Sequence, residues 1–499
     1  MTLVQNFPFA AIMLYLAGGV SCCVLRPKAS KWLCLLMNAA VSVMMLCTLI
    51  FTVRTGESYV FKMGHFPAPW GNELRVGPLE ALLAFILSSV MLLTLLCGMK
   101  HIFEDCEPGK ISLYFTVANL LMVSLIALIF TNDLFTGYVF VEINTLASCA
   151  LVMINHRSGR ALVATTRYLM MSLLGSGLFL LGIIILYDLT GHLLMEPMGD
   201  SVAALAASGE YAVPLTLTFG LFAVGLALKS ALWPFSAWLP GAHGSATTAS
   251  SGILSGLVLK GYIFLLIKLI CRVMGLNNIR NSGVDDVLFL FGAGAMVIGS
   301  LYALRERDLK RLLAYSSIAQ VGYIYVGIGL GTAAGMAAAC MQIAVHAVTK
   351  PMLFSVSGDF MDVSGGRKDL DSLRGAGRRA PLSGIAFAVG AFSMIGIPLF
   401  AGFVTKLDLA QAALMNGSVK SWIALAALVI STVLNALYYL PALAVLFSRR
   451  SDVLYAGERA KPGFLYIAAI ILFIALNFLI GIGSDMIREV IRDGIALLG

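Results

Sequence analysis

Six ionisable side chains stand in stretches that are otherwise almost wholly apolar: Glu142, Lys229, Lys260, His346, Lys350 and Lys406. A charge at mid-bilayer depth costs about 2.5–3.5 kcal/mol on insertion scales, so each needs a partner or water. Glu142 falls in Asp133-Leu-Phe-Thr-Gly-Tyr-Val-Phe-Val-Glu142-Ile-Asn144. Two readings stand for it: a structural carboxylate bonded to a neighbouring helix, or one half of a membrane-embedded ion pair. Lys229 lies five residues before Pro234. Proline lacks an N–H and frees a carbonyl one turn back. Unpaired backbone at membrane depth is tolerated only where protein or water satisfies it, so Lys229 is expected to face a hydrated cavity. Lys260, in Ser255-Gly256-Leu-Val-Leu-Lys260-Gly261, sits about three turns into its helix, too deep to reach the surface easily. His346 and Lys350 are four apart and share one helix face, although Lys350 precedes Pro351 and a packing role for it stays open. Lys406 follows the Gly396-Ile397-Pro398 break by two turns. Asp408 is nearer the helix end and reads equally as a surface residue or an accessory to Lys406. Lys268, beside Arg272, is expected to snorkel to the membrane surface.

A buried lysine can give up its proton, whereas arginine cannot, and a neighbouring carboxylate favours the charged amine. Moving Glu142 and Lys229 together or apart would therefore load or release a proton. Four amines on four helices make a lateral row and not a single pocket. Bridged by water, such a row is a proton relay.

The elements that position this row follow from composition. The chain has 499 residues, 59% hydrophobic and 12% charged, with a mean hydropathy of +0.91. Soluble chains carry about twice that charge. A cytosolic enzyme, a disordered chain and a nucleic-acid-binding domain are excluded. A spanning helix needs roughly 20 apolar residues, and the length allows about 14. Spans are predicted near 7–25, 32–53, 79–98, 111–130, 134–154, 165–187, 214–239, 249–270, 285–304, 312–330, 332–358, 383–415, 421–447 and 464–490. The fold class is therefore an all-α polytopic membrane protein. The first span lacks a basic flank and reads as a retained helix, not a cleaved signal.

The net charge is +8. Loops after odd-numbered spans carry 21 Lys and Arg, including Arg157, Arg305–Arg311, Arg367–Arg379, Arg450, Arg459 and Lys461; the opposite side carries 8. The positive-inside rule then places odd ends in the cytoplasm and both termini outside. None of the nine cysteines forms a C-x-x-C pair, and they read as small buried residues. No Walker loop, dinucleotide fingerprint, zinc spacing or Ser-His-Asp order is present, so no cofactor, no metal and no catalytic centre of the chain's own are expected.

Pro234 and Pro398 interrupt the seventh and twelfth spans, each beside a lysine. These spans are five apart, an odd number, so five-helix units at 111–270 and 285–447 would be inverted relative to each other. Residues 1–110 would add three N-terminal helices and 464–499 a C-terminal one.

At these residues the chain resembles the antiporter-like membrane subunits of respiratory complex I, Mrp-type cation/proton antiporters and membrane-bound hydrogenases. The matching stretches are Asp133–Leu151, Lys229–His243, Ser255–Lys260, Asp308–Gln320, His346–Gly358 and Leu373–Lys406. The resemblance implies fourteen helices with two inverted five-helix repeats. It also implies that Glu142 pairs with Lys229, that Lys260, His346 and Lys406 continue a proton relay, and that His243 and Asp408 are accessory. The family usually has an acidic residue where Gly241 stands and prolines where Thr247 and Ala249 stand. One proline in Gly396–Phe400 leans toward the Mrp or hydrogenase branch, nearest the D-type Mrp subunit. The implied function is proton translocation within a multisubunit complex in a prokaryotic plasma membrane, in exchange for Na⁺ in the Mrp form. In a complex I or hydrogenase form it would be driven by redox partners. Other membrane subunits and the lipid bilayer are the expected partners, with no nucleic acid. The rivals are a scaffold subunit that has lost transport, which the intact row of amines disfavours, and a stand-alone carrier for an organic solute.

Overall fold

The computed structural model describes residues 3–66, 71–154, 159–449 and 462–498. In chain order, α1 (Phe7–Val24) and α2 (Pro27–Thr55) form a hairpin, followed by the antiparallel strands β1 (Tyr59–Lys62) and β2 (Glu73–Val76). Four long apolar helices come next: α3 (Pro78–Asp105), α4 (Ile111–Phe130), α5 (Leu134–Met153) and α6 (Gly159–Thr190). The short α7 (Met195–Ser208) precedes α8 (Ala212–Lys229), which stops at a break and resumes as α9 (Leu239–Ser245). α10 (Thr248–Ile253) and α11 (Leu259–Leu269) alternate with two π turns, 254–258 and 270–274, in one rod. After α12 (Leu276–Ser282) come α13 (Val284–Arg305), α14 (Leu309–Gly329) and α15 (Ala333–Asp362). The chain closes with α16 (Ala376–Arg379), α17 (Pro381–Ile395), α18 (Ala401–Asn416), α19 (Val419–Phe447), α20 (Phe464–Ile482) and α21 (Ser484–Ala496).

Local chemistry sets many of these starts. Proline, which suits a first turn because its missing N–H would be unbonded there anyway, opens α1, α2, α3, α9 and α17. Asp133, Thr247, Asp308 and Thr332 cap α5, α10, α14 and α15 by accepting a first-turn N–H, and Ser418 with Ser421 makes a capping box on α19.

Among the described residues, thirteen helices are long and apolar enough to cross a membrane. The chain is a multi-pass, all-α membrane protein. The expected span 383–415 is two half-helices, α17 and α18, neither of which crosses alone. The rod Thr248–Met274 is buried along its whole apolar window, and α14 and α15 nearly so. α1, α2, α6, α19 and α20 expose most of theirs, which suits a lipid-facing rim.

The structure corrects several expectations. The predicted 464–490 helix stops at Ile482, and the charged segment behind it forms the separate amphipathic α21, whose Gly494 packs against Leu79 of α3. Neither α7 nor the β-ribbon was expected. Lys268 does not snorkel. It is fully buried and donates to the carbonyls of Leu128 (3.2 Å), Ile129 (3.0 Å) and Thr131 (2.6 Å). The reason is that the last carbonyls of a helix lack intrahelical donors, and the ammonium supplies them at the end of α4. Beside it Arg272 is buried in an ion pair with Glu80. Lys310, counted as a loop residue, is also buried and bonded to the Ala246 carbonyl (3.1 Å). All nine cysteines are free. Arg157, Arg450, Arg459 and Lys461 lie outside the described residues.

Candidate functional site

The first break begins after Lys229. Ser230 and Leu232 still bond back to Leu226 and Ala227, but Ala231 takes φ +56°, a left-handed value that costs a non-glycine residue of the order of 1–3 kcal/mol. Pro234 then opens a tight turn, 235–238, that leads into α9. The Leu228 carbonyl near the break accepts from the Trp238 indole (3.4 Å), whose ring stacks on Tyr168 at 4.2 Å. Lys229 is fully buried. Its Nζ donates to Thr145 Oγ1 (2.7 Å) and lies 3.7 Å from Glu142 Oε1, over the Tyr262 ring. Glu142 therefore meets Lys229 as an ion pair without a direct hydrogen bond, and its side chain keeps 22% exposure.

The second break is built differently. Gly396 stands at φ +90°, a backbone value that calls for glycine, and a Cβ there would lie 2.7 Å from Lys406 Cδ and displace the lysine. Leu399 also has positive φ, +79°. Lys406 folds back over the break: Nζ donates to the Ile395 carbonyl (2.6 Å) and to Thr432 Oγ1 (3.0 Å), above the Tyr323 ring. No carboxylate among the described residues pairs with it. Asp408 is not its partner, because both its oxygens face Arg488 of α21 (2.7 and 3.2 Å).

Between the breaks, the rod and α15 meet where Pro351 packs on Gly256. Lys260 donates to the Ser255 carbonyl, and its Nζ lies 2.5 Å from His346 Nδ1. Among the described residues, the His346 Nε2 has no hydrogen-bond partner. Lys350 bonds to the Leu313 carbonyl (3.0 Å) and the Tyr439 hydroxyl (3.3 Å). His243 is fully buried, its ring stacked on Phe354 at 4.8 Å and both nitrogens without hydrogen-bond partners among the described residues.

The structure thus joins Glu142 to Lys229 and Lys260 to His346. Among the described residues it makes no direct bond from Lys229 to Lys260, or from Lys350 to Lys406. What links Lys260 to Lys406 is a line of polar groups that sequence reasoning missed. Ser255 Oγ meets Ser317 Oγ (2.9 Å), and Ser317 and Lys350 share the Leu313 carbonyl. Tyr439 meets Ser316 (3.0 Å), Tyr438 donates to Ser316 (2.9 Å) and Asn435 (2.7 Å), and Asn435 donates to Tyr323 (3.5 Å), under Lys406. A hydroxyl both donates and accepts, so the hydroxyls of this line can pass protons; the Ser255 carbonyl that meets Lys260, the Leu313 carbonyl and the Asn435 amide can only orient their neighbours or hold water.

Residues 131–435 match the family described as NADH:quinone oxidoreductase/Mrp antiporter, transmembrane. NADH-quinone oxidoreductase subunit N of Desulforudis audaxviator (strain MP104C) is 32% identical over 388 residues, covering 78% of this chain and 75% of that protein. Putative antiporter subunit mnhD2 of Staphylococcus aureus (strain JH9) is 29% identical over 422 residues, 83% of this chain and 79% of that protein. Among solved structures, a chain of the membrane-bound sulfane sulfur reductase, an archaeal respiratory membrane complex, superposes with a TM-score of 0.88 at 26% identity, over 98% of this chain and 97% of its own. A chain of the Mrp complex from Dietzia sp. DQ12-45-1b shares the fold, with a TM-score of 0.85 at 22% identity over 100% and 98%.

Proposed function

Because this chain belongs to the NADH:quinone oxidoreductase/Mrp antiporter transmembrane family, as an antiporter-like membrane subunit, we propose that it translocates protons along its buried row of amines. In this reading Glu142 loads or discharges Lys229, and Lys260, His346, Lys350 and Lys406 hand the proton sideways. His243 serves the row as an accessory. The observation that carries the reading is the polar line from Lys260 to Lys406, which gives a proton hydrogen-bonding groups across the interior of the bundle. A scaffold that only held neighbours would gain nothing from these buried polar groups, each of which costs stability when its partners are lost. In this reading the ion is H⁺, with Na⁺ as the exchanged ion of an antiporter form, and the antiporter name of one relative supports an exchange of ions.

The same reading takes α4–α11 and α13–α19 as inverted units. Both broken helices carry a lysine and a non-glycine residue at positive φ, which supports matching roles. Other membrane subunits cover part of the exposed rim, since the solved relatives are chains of membrane complexes. The chain then lies in a prokaryotic plasma membrane with the basic-rich side in the cytoplasm and both termini outside.

Two measurements test this. Vesicles holding the intact complex should show proton flux with a pH-sensitive dye, and none in the parent protein overturns the function. Tyr439→Phe keeps the ring against Phe387 and removes only the hydroxyl between Lys350 and Ser316. It should slow flux by about tenfold, the equivalent of one hydrogen bond of about 1.4 kcal/mol at the barrier. Unchanged flux overturns the route and leaves the function standing.

Orientation is tested separately. Asp371 stands exposed beside Arg307 on the basic-rich side. In a background without native cysteines, Asp371→Cys should resist an impermeant thiol reagent in intact cells and react in inverted vesicles. Labelling of intact cells reverses the orientation.

A further inference from the structure

Away from the row of amines, the last turns of α3 and α15 bring together His101, Asp359 and Asp362, each offering one ligand atom and all three atoms within 4.8 Å of one another. His101 is 4% exposed, and neither ring nitrogen makes a hydrogen bond, although Nε2 lies 3.3 Å from Asp362 Oδ2. A buried imidazole whose Nδ1 has no partner and whose Nε2 meets only a carboxylate, outside hydrogen-bond geometry, is an unusual expense for a fold. The ring enters only because residue 358 is glycine: a Cβ there would stand 2.6 Å from His101 Cε1 and 2.8 Å from Nε2. Asp359 accepts from Ser383 at the start of α17, which also meets Tyr466 of α20 (3.0 Å). These contacts hold the carboxylate facing the ring. Asp362 reaches the surface, where Lys100 pairs with it at 2.6 Å on a side chain more than half exposed.

We propose that His101, Asp359 and Asp362 form a binding site for a divalent transition-metal cation of the zinc class. An imidazole nitrogen beside two carboxylate oxygens suits zinc, whereas Ca²⁺ and Mg²⁺ take oxygen ligands only. The two carboxylates balance the charge of a dication once Lys100 swings out. A zinc ion at about 2.0–2.2 Å from each ligand sets tetrahedral ligand atoms about 3.3–3.6 Å apart, so the three atoms, now within 4.8 Å of one another, would close on it by up to about 1 Å through side-chain rotation. The exposed side of Asp362 leaves a fourth position for water. Occupancy would fasten the N-terminal helices to the end of α15, the helix that carries His346 and Lys350. No metal motif announces the site, because its ligands come from distant parts of the chain.

The test is metal binding to the purified intact complex, so it does not depend on translocation. After chelation, the complex is titrated with ZnCl₂ and, separately, with CoCl₂ followed by visible absorption. The parent should bind one metal equivalent more than complexes carrying His101→Gln or Asp362→Asn. It should also bind at that site at least tenfold more tightly than either variant, with a cobalt spectrum of nitrogen and oxygen ligation. Asp362 is at the surface, so its variant stays informative should His101→Gln fail to assemble. Equal stoichiometry and affinity in the parent and in Asp362→Asn overturn the site, as does a cobalt spectrum dominated by thiolate charge transfer.

Discussion

Lys229→Ala should abolish proton flux, by a hundredfold or more, while the chain still inserts and assembles. The lysine is the only cation beside Glu142 among the described ion pairs, and it also ties Thr145 and the Tyr262 ring to the break after α8. Removing one partner of a fully buried pair commonly costs 3–5 kcal/mol, because the other charge is stranded. Here the cost is smaller. Glu142 keeps 22% exposure and is not stranded in a closed apolar site, so the fold should survive where the relay does not. Glu142→Ala should fail for the matching reason, leaving a buried amine with only Thr145 to meet it. The measurement is dye-reported proton flux in vesicles, with assembly checked on the same preparation. Near-normal flux in Lys229→Ala would remove the pair from the mechanism.

Lys406→Arg should assemble and be inert. An arginine keeps the positive charge and can still donate to the Ile395 carbonyl and Thr432, the two acceptors that hold Lys406 against the break. It cannot release a proton at any accessible pH. A residue that only balances charge would tolerate the exchange, and a relay member would not. Lys406→Gln separates bulk from protonation: it is small enough for the same site, keeps a donor, and should be equally inactive. Full flux in the arginine variant would make Lys406 a structural charge.

The row of amines was legible in the sequence because a lone charge in an apolar run is rare and expensive. Glu142, Lys229, Lys260 and His346 stood out on that ground alone, and the structure brings them into two contacting pairs. Tyr438, Tyr439, Ser316 and Asn435 gave no such signal. Single hydroxyls and amides are ordinary in membrane helices, and only the packing of α14 on α19 sets them in line. Lys268 misled because snorkelling assumes a helix near lipid, and the rod that carries it is enclosed on every side. The Gly483 boundary was missed because an apolar span and an amphipathic segment adjoin there without a proline or a polar loop. Beside Gly396, the other left-handed residues at the two breaks are alanine and leucine, types that do not advertise that conformation.

The hydroxyl of Tyr438 has one hydrogen and two acceptors in reach, Ser316 Oγ and Asn435 Oδ1. It can serve only one of them at a time. Pointed at Ser316, it continues the line toward Tyr439 and Lys350. Turned to Asn435, it leaves its own oxygen to accept from Ser316 and engages the amide that donates to Tyr323, the ring beneath Lys406. A chain of hydroxyls also reverses its polarity each time a proton passes, and every member must rotate before it can conduct again in the same direction. In the proposed relay Tyr438 would therefore act as a toggle, its hydrogen turning back about the C–O bond before the line could carry a second proton the same way.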